Sequence, residues 1–117
     1  MSVEDQAVVL LDGVIGLFAD RAKWTTRYLA RNKGGRYVSP LSKRSVCWCG
    51  LGALLKLKVE VGDRTRWAYE AILDWTGRDA VTGYGVDLSG VNDELGYDAM
   101  MDVFSRAREH FRTRAAG

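Results

Sequence analysis

The sequence contains few of the residues that covalent cross-links and metal sites require. It has two cysteines, Cys47 and Cys49, one histidine, His110, and one proline, Pro40. Because the two cysteines lie only two positions apart, they cannot join distant segments, and we expect both thiols to be reduced. Two cysteines and one histidine also fall short of the four ligands of a structural zinc site. We therefore expect no metal and no other cofactor.

Long apolar runs are absent as well. The first apolar stretch has no cationic segment ahead of it and is interrupted by Asp12, Asp20, Arg21 and two glycines, which fits neither a signal peptide nor a membrane span. We therefore expect a cytoplasmic protein that does not bind membranes. The 117 residues, 47% of them hydrophobic and 27% charged, suffice for one hydrophobic core and are too few for two. We expect one globular domain over residues 1–117.

Acidic residues are missing from one long segment, Arg21 to Lys58, which contains ten basic residues. Four acidic and no basic residues precede this segment, and after it eleven acidic residues outnumber seven basic ones. The formal net charge of +2 therefore hides a strongly polarised chain. Positive charge concentrated in this way creates an electrostatic potential that attracts anions, which indicates an anion-binding surface. The alternative interpretation is a hydrated charged surface that binds no ligand.

Apolar residues recur at helical spacing in four parts of the chain. This pattern predicts four helices, with these approximate ends: Glu4 to Asp20, Lys43 to Val59 after a Ser42 cap, Asp63 to Asp74, and a last helix from Asp98. Gly50 and Gly52 in the second helix permit another element to approach closely, and we expect that element to be the first helix.

A change of period between the first two helices indicates a β-hairpin. Its strands are Arg27-Tyr28-Leu29-Ala30 and Arg36-Tyr37-Val38. Its turn is Asn32-Lys33-Gly34-Gly35, where asparagine and glycine readily supply a positive φ angle. The stretch from Thr76 to Tyr97 contains five glycines and is predicted to be a long loop. Together these elements predict an α+β fold: a mostly helical single domain of about four helices with a small β-hairpin.

Several short motifs resemble a family of small domains of unknown function that is common in actinobacteria and their bacteriophages. The residues that carry this resemblance are Trp24, Ala30-Arg31-Asn32, Trp48-Cys49, Gly52-Ala53 and Asn92-Asp93. The resemblance extends from about residue 5 to residue 110. Val91 stands where the family pattern usually has a tryptophan, and Gly96-Tyr97-Asp98 replaces a Gly-Arg-Thr turn. The resemblance implies a lineage and a bacteriophage setting, and it implies no particular activity.

The leading functional hypothesis is a non-enzymatic binding protein for an anionic ligand, either a nucleotide-like molecule or nucleic acid. Arginine pairs with phosphate in bidentate fashion, and aromatic rings offer stacking faces to bases. The candidate cations are Arg27, Arg31, Arg36 and Arg44, and the candidate stacking residues are Trp24, Tyr28 and Tyr37. In a bacteriophage, such a protein would sequester a nucleotide immune signal.

Asn92 and Asp93 precede the last helix and allow two interpretations. In one, Asn92 contacts a ligand edge while Asp93 orients Arg31 or binds a ribose hydroxyl. In the other, both side chains satisfy exposed backbone groups, as short polar side chains before helices normally do.

Two further classes of function stay open. A protein-protein interaction module or inhibitor would use the same positively charged surface to bind an acidic partner or a second copy of the chain. An enzyme would use Cys49 as a nucleophile, with its pKa lowered by the helix N-terminus and by Lys43 and Arg44. Such a thiolate needs a base, and His110 lies far away in the sequence. We therefore favour a protein that is not an enzyme.

Overall fold

The computed structural model describes residues 2–62, 65–78 and 83–116. In chain order, its regular elements are α1 (Val3–Phe18), a 3-10 turn (Arg21–Lys23), β1 (Ala30–Arg31), β2 (Cys47–Trp48), α2 (Gly50–Val61), α3 (Arg66–Thr76), α4 (Leu88–Gly90), a π-helical segment (Val91–Leu95) and α5 (Tyr97–Ala116). Five α-helices and one two-stranded antiparallel sheet in this part of the chain confirm the predicted fold class.

Helix α1 is the centre of the hydrophobic core. It packs most extensively against α5 and also contacts α2 and α3. Its buried side chains have the helical spacing that predicted this helix from the sequence: Ala7, Leu10, Leu11, Val14 and Phe18. The helix begins with a capping box, in which the backbone N–H of Asp5 donates to Oγ of Ser2 and the Ser2 N–H donates to the Asp5 carboxylate. Among the described residues, no helix is both long and apolar enough to cross a membrane.

The small antiparallel sheet is confirmed, but β1 forms its regular ladder with β2 and only a single bridge with its predicted partner, Arg36-Tyr37-Val38. Ala30 pairs with Trp48, and Arg31 pairs with Cys47. The predicted turn forms on the other edge of β1, where Arg31 makes a single antiparallel bridge to Tyr37. Strand β1 therefore has hydrogen-bonded neighbours on both sides, because successive carbonyl groups of a strand point to opposite edges.

The predicted start of the second helix at Lys43 is wrong. Residues 47 and 48 are extended, and the helix begins at Gly50 with Cys49 as its N-cap. The reason is tertiary: the N–H of Cys49 donates to the carbonyl of Leu29, and the carbonyl of Trp48 accepts from Thr25 N–H. Ser42 caps only a tight turn, through the N–H of Arg44 at 3.1 Å.

The segment before the last helix is also more helical than predicted. Helix α3 extends to Thr76, and Leu88 to Leu95 form a helical turn followed by a π-helical turn. The carboxylate of Asp87 accepts from Gly90 N–H at 2.8 Å and so caps this turn. Helix α3 begins at Arg66, and the predicted cap, Asp63, lies outside the described residues.

Glycines let the elements pack closely, but the expected pairing of α2 glycines with α1 is wrong. A Cβ atom on Gly52 would lie 1.9 Å from the carbonyl oxygen of Leu29, so the first turn of α2 rests on the backbone just before β1. A Cβ atom on Gly50 would lie 2.5 Å from Sδ of Met100 in α5. The contact between α1 and α2 is made instead by Gly13 against the Leu57 side chain.

We expect Gly52→Ala to destabilise the fold by about 2 kcal/mol or more, because the new methyl group meets backbone that cannot rotate away. Gly16→Ala is the matched control: a Cβ atom there has no heavy atom within 4 Å. Removing a helical glycine at that position should raise stability by about 0.5 to 1 kcal/mol. Urea denaturation measures both variants, and equal stability of Gly52→Ala and the parent chain would contradict the packing described here.

Candidate anion-binding site

Most of the basic segment lies on the surface. Of its ten basic residues, seven have exposed positions: Arg21, Lys23, Arg27, Lys33, Arg36, Lys43 and Arg44. Among the described residues, only Lys56 of these ten forms an ion pair, and its partner is Glu60 of the same helix. No acidic group in the described part of the chain therefore pairs with the seven exposed cations. We call residues 27–37 together with Lys43 and Arg44 the basic face.

Two tyrosines form an exposed aromatic pair on the basic face. Tyr28 is 46% exposed and Tyr37 is 55% exposed. Their ring centroids lie 5.7 Å apart, with 39° between the ring planes. The pair forms because the turn brings Tyr37 back beside Arg31, three residues after Tyr28. Large aromatic rings usually bury much of their surface, so a pair with this exposure is a candidate contact surface.

Arg31 holds the two chain segments of the basic face together. Its guanidinium donates to Oγ1 of Thr25 at 3.0 Å, to the carbonyl of Gly35 at 2.9 Å and to the carbonyl of Thr26 at 3.1 Å. It also lies 4.5 Å from the ring centroid of Tyr28. All of these partners are neutral, so the hydrogen bonds fix the guanidinium without cancelling its charge. Arg31 therefore acts first as an organiser of this surface.

Arg27 has an unusual backbone conformation. Its φ angle is 71°, and it is the one residue other than glycine in the described chain with a positive φ. A left-handed conformation costs a side chain with a Cβ atom about 1 to 2 kcal/mol. It is held by Asp93, whose Oδ1 accepts the Arg27 N–H at 2.8 Å. The strain is concentrated where the chain turns outward to place the side chains of Arg27 and Tyr28 on the surface.

Asn92 is buried and fully hydrogen-bonded. It is 1% exposed. Its Oδ1 accepts from Nε1 of Trp24 at 2.7 Å and from the N–H of Gly50 at 2.9 Å, while its Nδ2 donates to the carbonyl of Thr25 at 3.0 Å and to Oδ1 of Asp93 at 2.9 Å. An asparagine side chain has no further strong hydrogen-bonding position to offer. The geometry thus supports the structural interpretation, in which Asn92 and Asp93 position the basic face from below.

The remaining predicted residues lie in different places. Trp24 is half-buried, and its ring meets Tyr97 edge-on at 5.7 Å, so it packs toward the core. Arg36 is exposed beside Tyr37. Arg44 is exposed in the loop between Tyr37 and β2. The structure therefore pairs Tyr28 with Tyr37, exposes Arg27 and Arg36 next to them in the chain, and leaves Trp24 half-buried.

The structural contributions of Thr25, Thr26 and Gly35 were not anticipated. They provide the three acceptors for Arg31. Two of these acceptors are backbone carbonyls, which every residue possesses, so no sequence pattern could have marked them. The left-handed conformation of Arg27 likewise has no signal in the sequence, because it is imposed by a carboxylate 66 residues away.

Cys49 lies in an environment opposite to the one a nucleophile needs. It is buried, and its Sγ accepts the N–H of Gly52 at 3.3 Å as the cap of α2. Burial raises the pKa of the Cys49 thiol, whereas the catalytic hypothesis expected a lowered pKa. His110 is stacked on Trp75 at 4.7 Å and accepts a hydrogen bond from Arg114. The geometry therefore favours a structural cysteine.

We expect Cys49 to resist alkylation in the native protein and to react only after unfolding. Cys47 is partly exposed and should react first with iodoacetamide. Mass spectrometry of peptides from native and denatured samples separates the two thiols. Rapid, selective modification of native Cys49 would contradict the buried cap and would support the enzymatic alternative.

We expect Asn92→Asp to destabilise the protein by more than about 2 kcal/mol at neutral pH, because the new carboxylate would face the Asp93 carboxylate and the carbonyl of Thr25. The loss should shrink as the pH falls toward 5, since protonation of residue 92 in the fold restores one donor. Asp93→Asn is the control, because its amide oxygen can still accept from Arg27 and Asn92. Thermal denaturation at both pH values tests this, and equal stability of the two variants would contradict it.

Comparison with known proteins finds one family model that matches, over residues 3–110, described as a family of unknown function, DUF6197. No curated protein and no solved structure matches the chain. The matched range includes α1, the basic face, Asn92 and most of α5. Because the model covers almost the whole chain, this protein belongs to the family of unknown function DUF6197.

Proposed function

We propose that this protein is a non-enzymatic binding protein for an anionic ligand, a nucleotide-like molecule or nucleic acid. The observation that carries the proposal is the set of exposed cations, unpaired among the described residues, around the exposed pair of Tyr28 and Tyr37. Uncompensated positive charge on a surface attracts polyanions, and exposed aromatic rings add affinity for planar groups.

Each residue of the basic face has a part in this proposal. Arg27 and Arg36 contact phosphate groups with their exposed guanidinium groups, and Lys33 adds charge at the turn between them. Tyr28 and Tyr37 supply stacking surfaces. Arg31 keeps its position between the two chain segments and contributes charge close to the Tyr28 ring. Asn92, Asp93 and Trp24 support this surface without contacting the ligand.

A narrower form of the proposal is a bacteriophage accessory protein that sequesters a nucleotide immune signal in the cytoplasm. Its support is the resemblance to small domains found in actinobacteria and their bacteriophages, together with the anion-attracting face. A protein of this kind needs no catalytic group, only an affinity high enough to lower the free concentration of the signal.

A protein partner is the second candidate, and one observation favours it. Leu41 and Val46 are exposed beside Lys43, and Leu41 borders a cleft with Trp48 and Val59. Exposed apolar side chains next to positive charge suit an acidic protein surface or a second copy of the chain. Light scattering at low and high salt, combined with a pull-down, distinguishes this candidate from small-anion binding.

We expect the double variant Arg27→Asn, Arg36→Gln to bind anions about tenfold more weakly, because two phosphate contacts are lost. Asparagine is chosen at position 27 because it tolerates the left-handed backbone. Arg112→Gln, which removes an exposed cation of α5 outside the basic face, is the matched control and should bind normally. Nucleotides and labelled oligonucleotides are titrated at about 50 and about 200 mM salt. The absence of any salt-sensitive binding to the parent chain would refute the proposal.

A further inference from the structure

We infer that the ligand of the basic face is a single strand of nucleic acid, read by its phosphates and by one stacked base; this inference rests on the proposed function. It selects the polymer among ligands that all carry phosphate, and it therefore replaces the narrower form of the proposal, in which the ligand is a nucleotide signal. The features that decide it are the exposure of the tyrosine pair, the arrangement of Arg31 and Tyr28, and the distribution of charge along the chain before and after β1.

The exposure of the two tyrosines disfavours a free nucleotide. Small ligands are normally held in concave sites that cover most of their surface. Tyr28 and Tyr37 are each about half exposed, before and after the exposed turn at Gly34 and Gly35. A mononucleotide there would touch the protein on one side only. A ligand that binds an open surface must gain its affinity from many contacts along its length, and a polymer provides them.

The arrangement of the rings assigns the stacking role to Tyr37. The guanidinium of Arg31 lies over Tyr28 at 4.5 Å and occupies one face of that ring. Tyr37, the more exposed of the two, carries no cation over its ring among the described residues. Tyr28 thus contacts both Arg31 and Tyr37, whereas the ring of Tyr37 contacts Tyr28 alone among the described aromatic and cationic groups. Tyr37 therefore keeps more ring surface on which a base can stack.

Stacking on Tyr37 also disfavours a duplex. Bases in a double helix are already stacked on each other and expose only their edges in the grooves, whereas bases of a single strand are free to stack on a protein ring. The basic face offers neither a helix nor a long β-ribbon for insertion into a major groove, since residues 24–49 of the described chain contain only turns, loops and two-residue strands.

The distribution of charge fits an extended strand. Lys33 and Arg36 lie in and just after the turn that leads to Tyr37, Arg27 precedes β1, and Lys43 and Arg44 lie in the loop between Tyr37 and β2. Cations spread along the chain before and after β1 match successive phosphates of a nucleic acid strand better than they match one compact phosphate group. Binding should then weaken steeply with salt, because several counterions are released.

Four probes test the inference: a single-stranded oligothymidylate of about 12 nucleotides, the matching duplex, inorganic polyphosphate of similar charge, and thymidine monophosphate. We expect the single strand to bind about tenfold more tightly than the duplex or polyphosphate. Tyr37→Ala should lower single-strand affinity about tenfold and leave polyphosphate binding unchanged, and Tyr37→Phe should retain the affinity. Trp67→Ala, which removes an exposed ring of α3, is the matched control and should have no effect.

The outcomes separate this inference from the proposed function. Equal affinities for single strand, duplex and polyphosphate, with no effect of Tyr37→Ala, would overturn the inference and leave anion binding intact. Tight binding of the mononucleotide with no gain for the oligonucleotide would likewise overturn it in favour of a small ligand. If none of the four probes binds, both the inference and the proposed function fail. Circular dichroism of each variant confirms that the comparison is made on folded protein.

Discussion

The fold and the basic face depend together on the buried side chain of Asn92. Three of its four hydrogen bonds join a residue of the π-helical segment to Trp24 and Thr25, just before the basic face, and to Gly50 at the start of α2, while the fourth goes to the adjacent Asp93. The first three partners lie 42 to 68 positions away in the sequence. A buried polar group without a hydrogen-bond partner costs free energy of folding, so Asn92 favours the one arrangement of these three segments in which all four of its hydrogen bonds form. Local helix and strand propensities do not determine that arrangement.

The support continues from Asn92 to the surface. Asp93 holds the strained backbone of Arg27, and Arg31 joins the segment around Thr25 to the turn at Gly35. As a result, the exposed side chains of the basic face, which have many rotamers, are attached to a backbone that several hydrogen bonds hold in place. Such preorganisation lowers the entropic cost of binding, because the loop is ordered before the ligand arrives. Trp24 and Asn92, which the sequence suggested as ligand contacts, thus support the backbone of the basic face from the interior.

The sequence was informative where a pattern is local. The buried stripe of α1 and the inward face of α5 follow from helical spacing, and the turn at Asn32 follows from residues that accept a positive φ. Predictions from the sequence were wrong where tertiary contacts override the local helix propensity. Cys47 and Trp48 have an apolar pattern compatible with a helix, yet they pair with β1, because that strand would otherwise leave buried backbone groups without partners.

The segregation of charge and the buried faces of α1 and α5 follow from the amino-acid order alone, because both depend on residues that are close in the chain. Ten cations in a segment without an acidic residue predict a positive region in any fold that exposes them. Long-range contacts determine that Trp24 packs toward the core and that Arg27 adopts a left-handed backbone. Those outcomes depend on hydrogen bonds to Asn92 and Asp93, and no local pattern encodes bonds between residues so far apart.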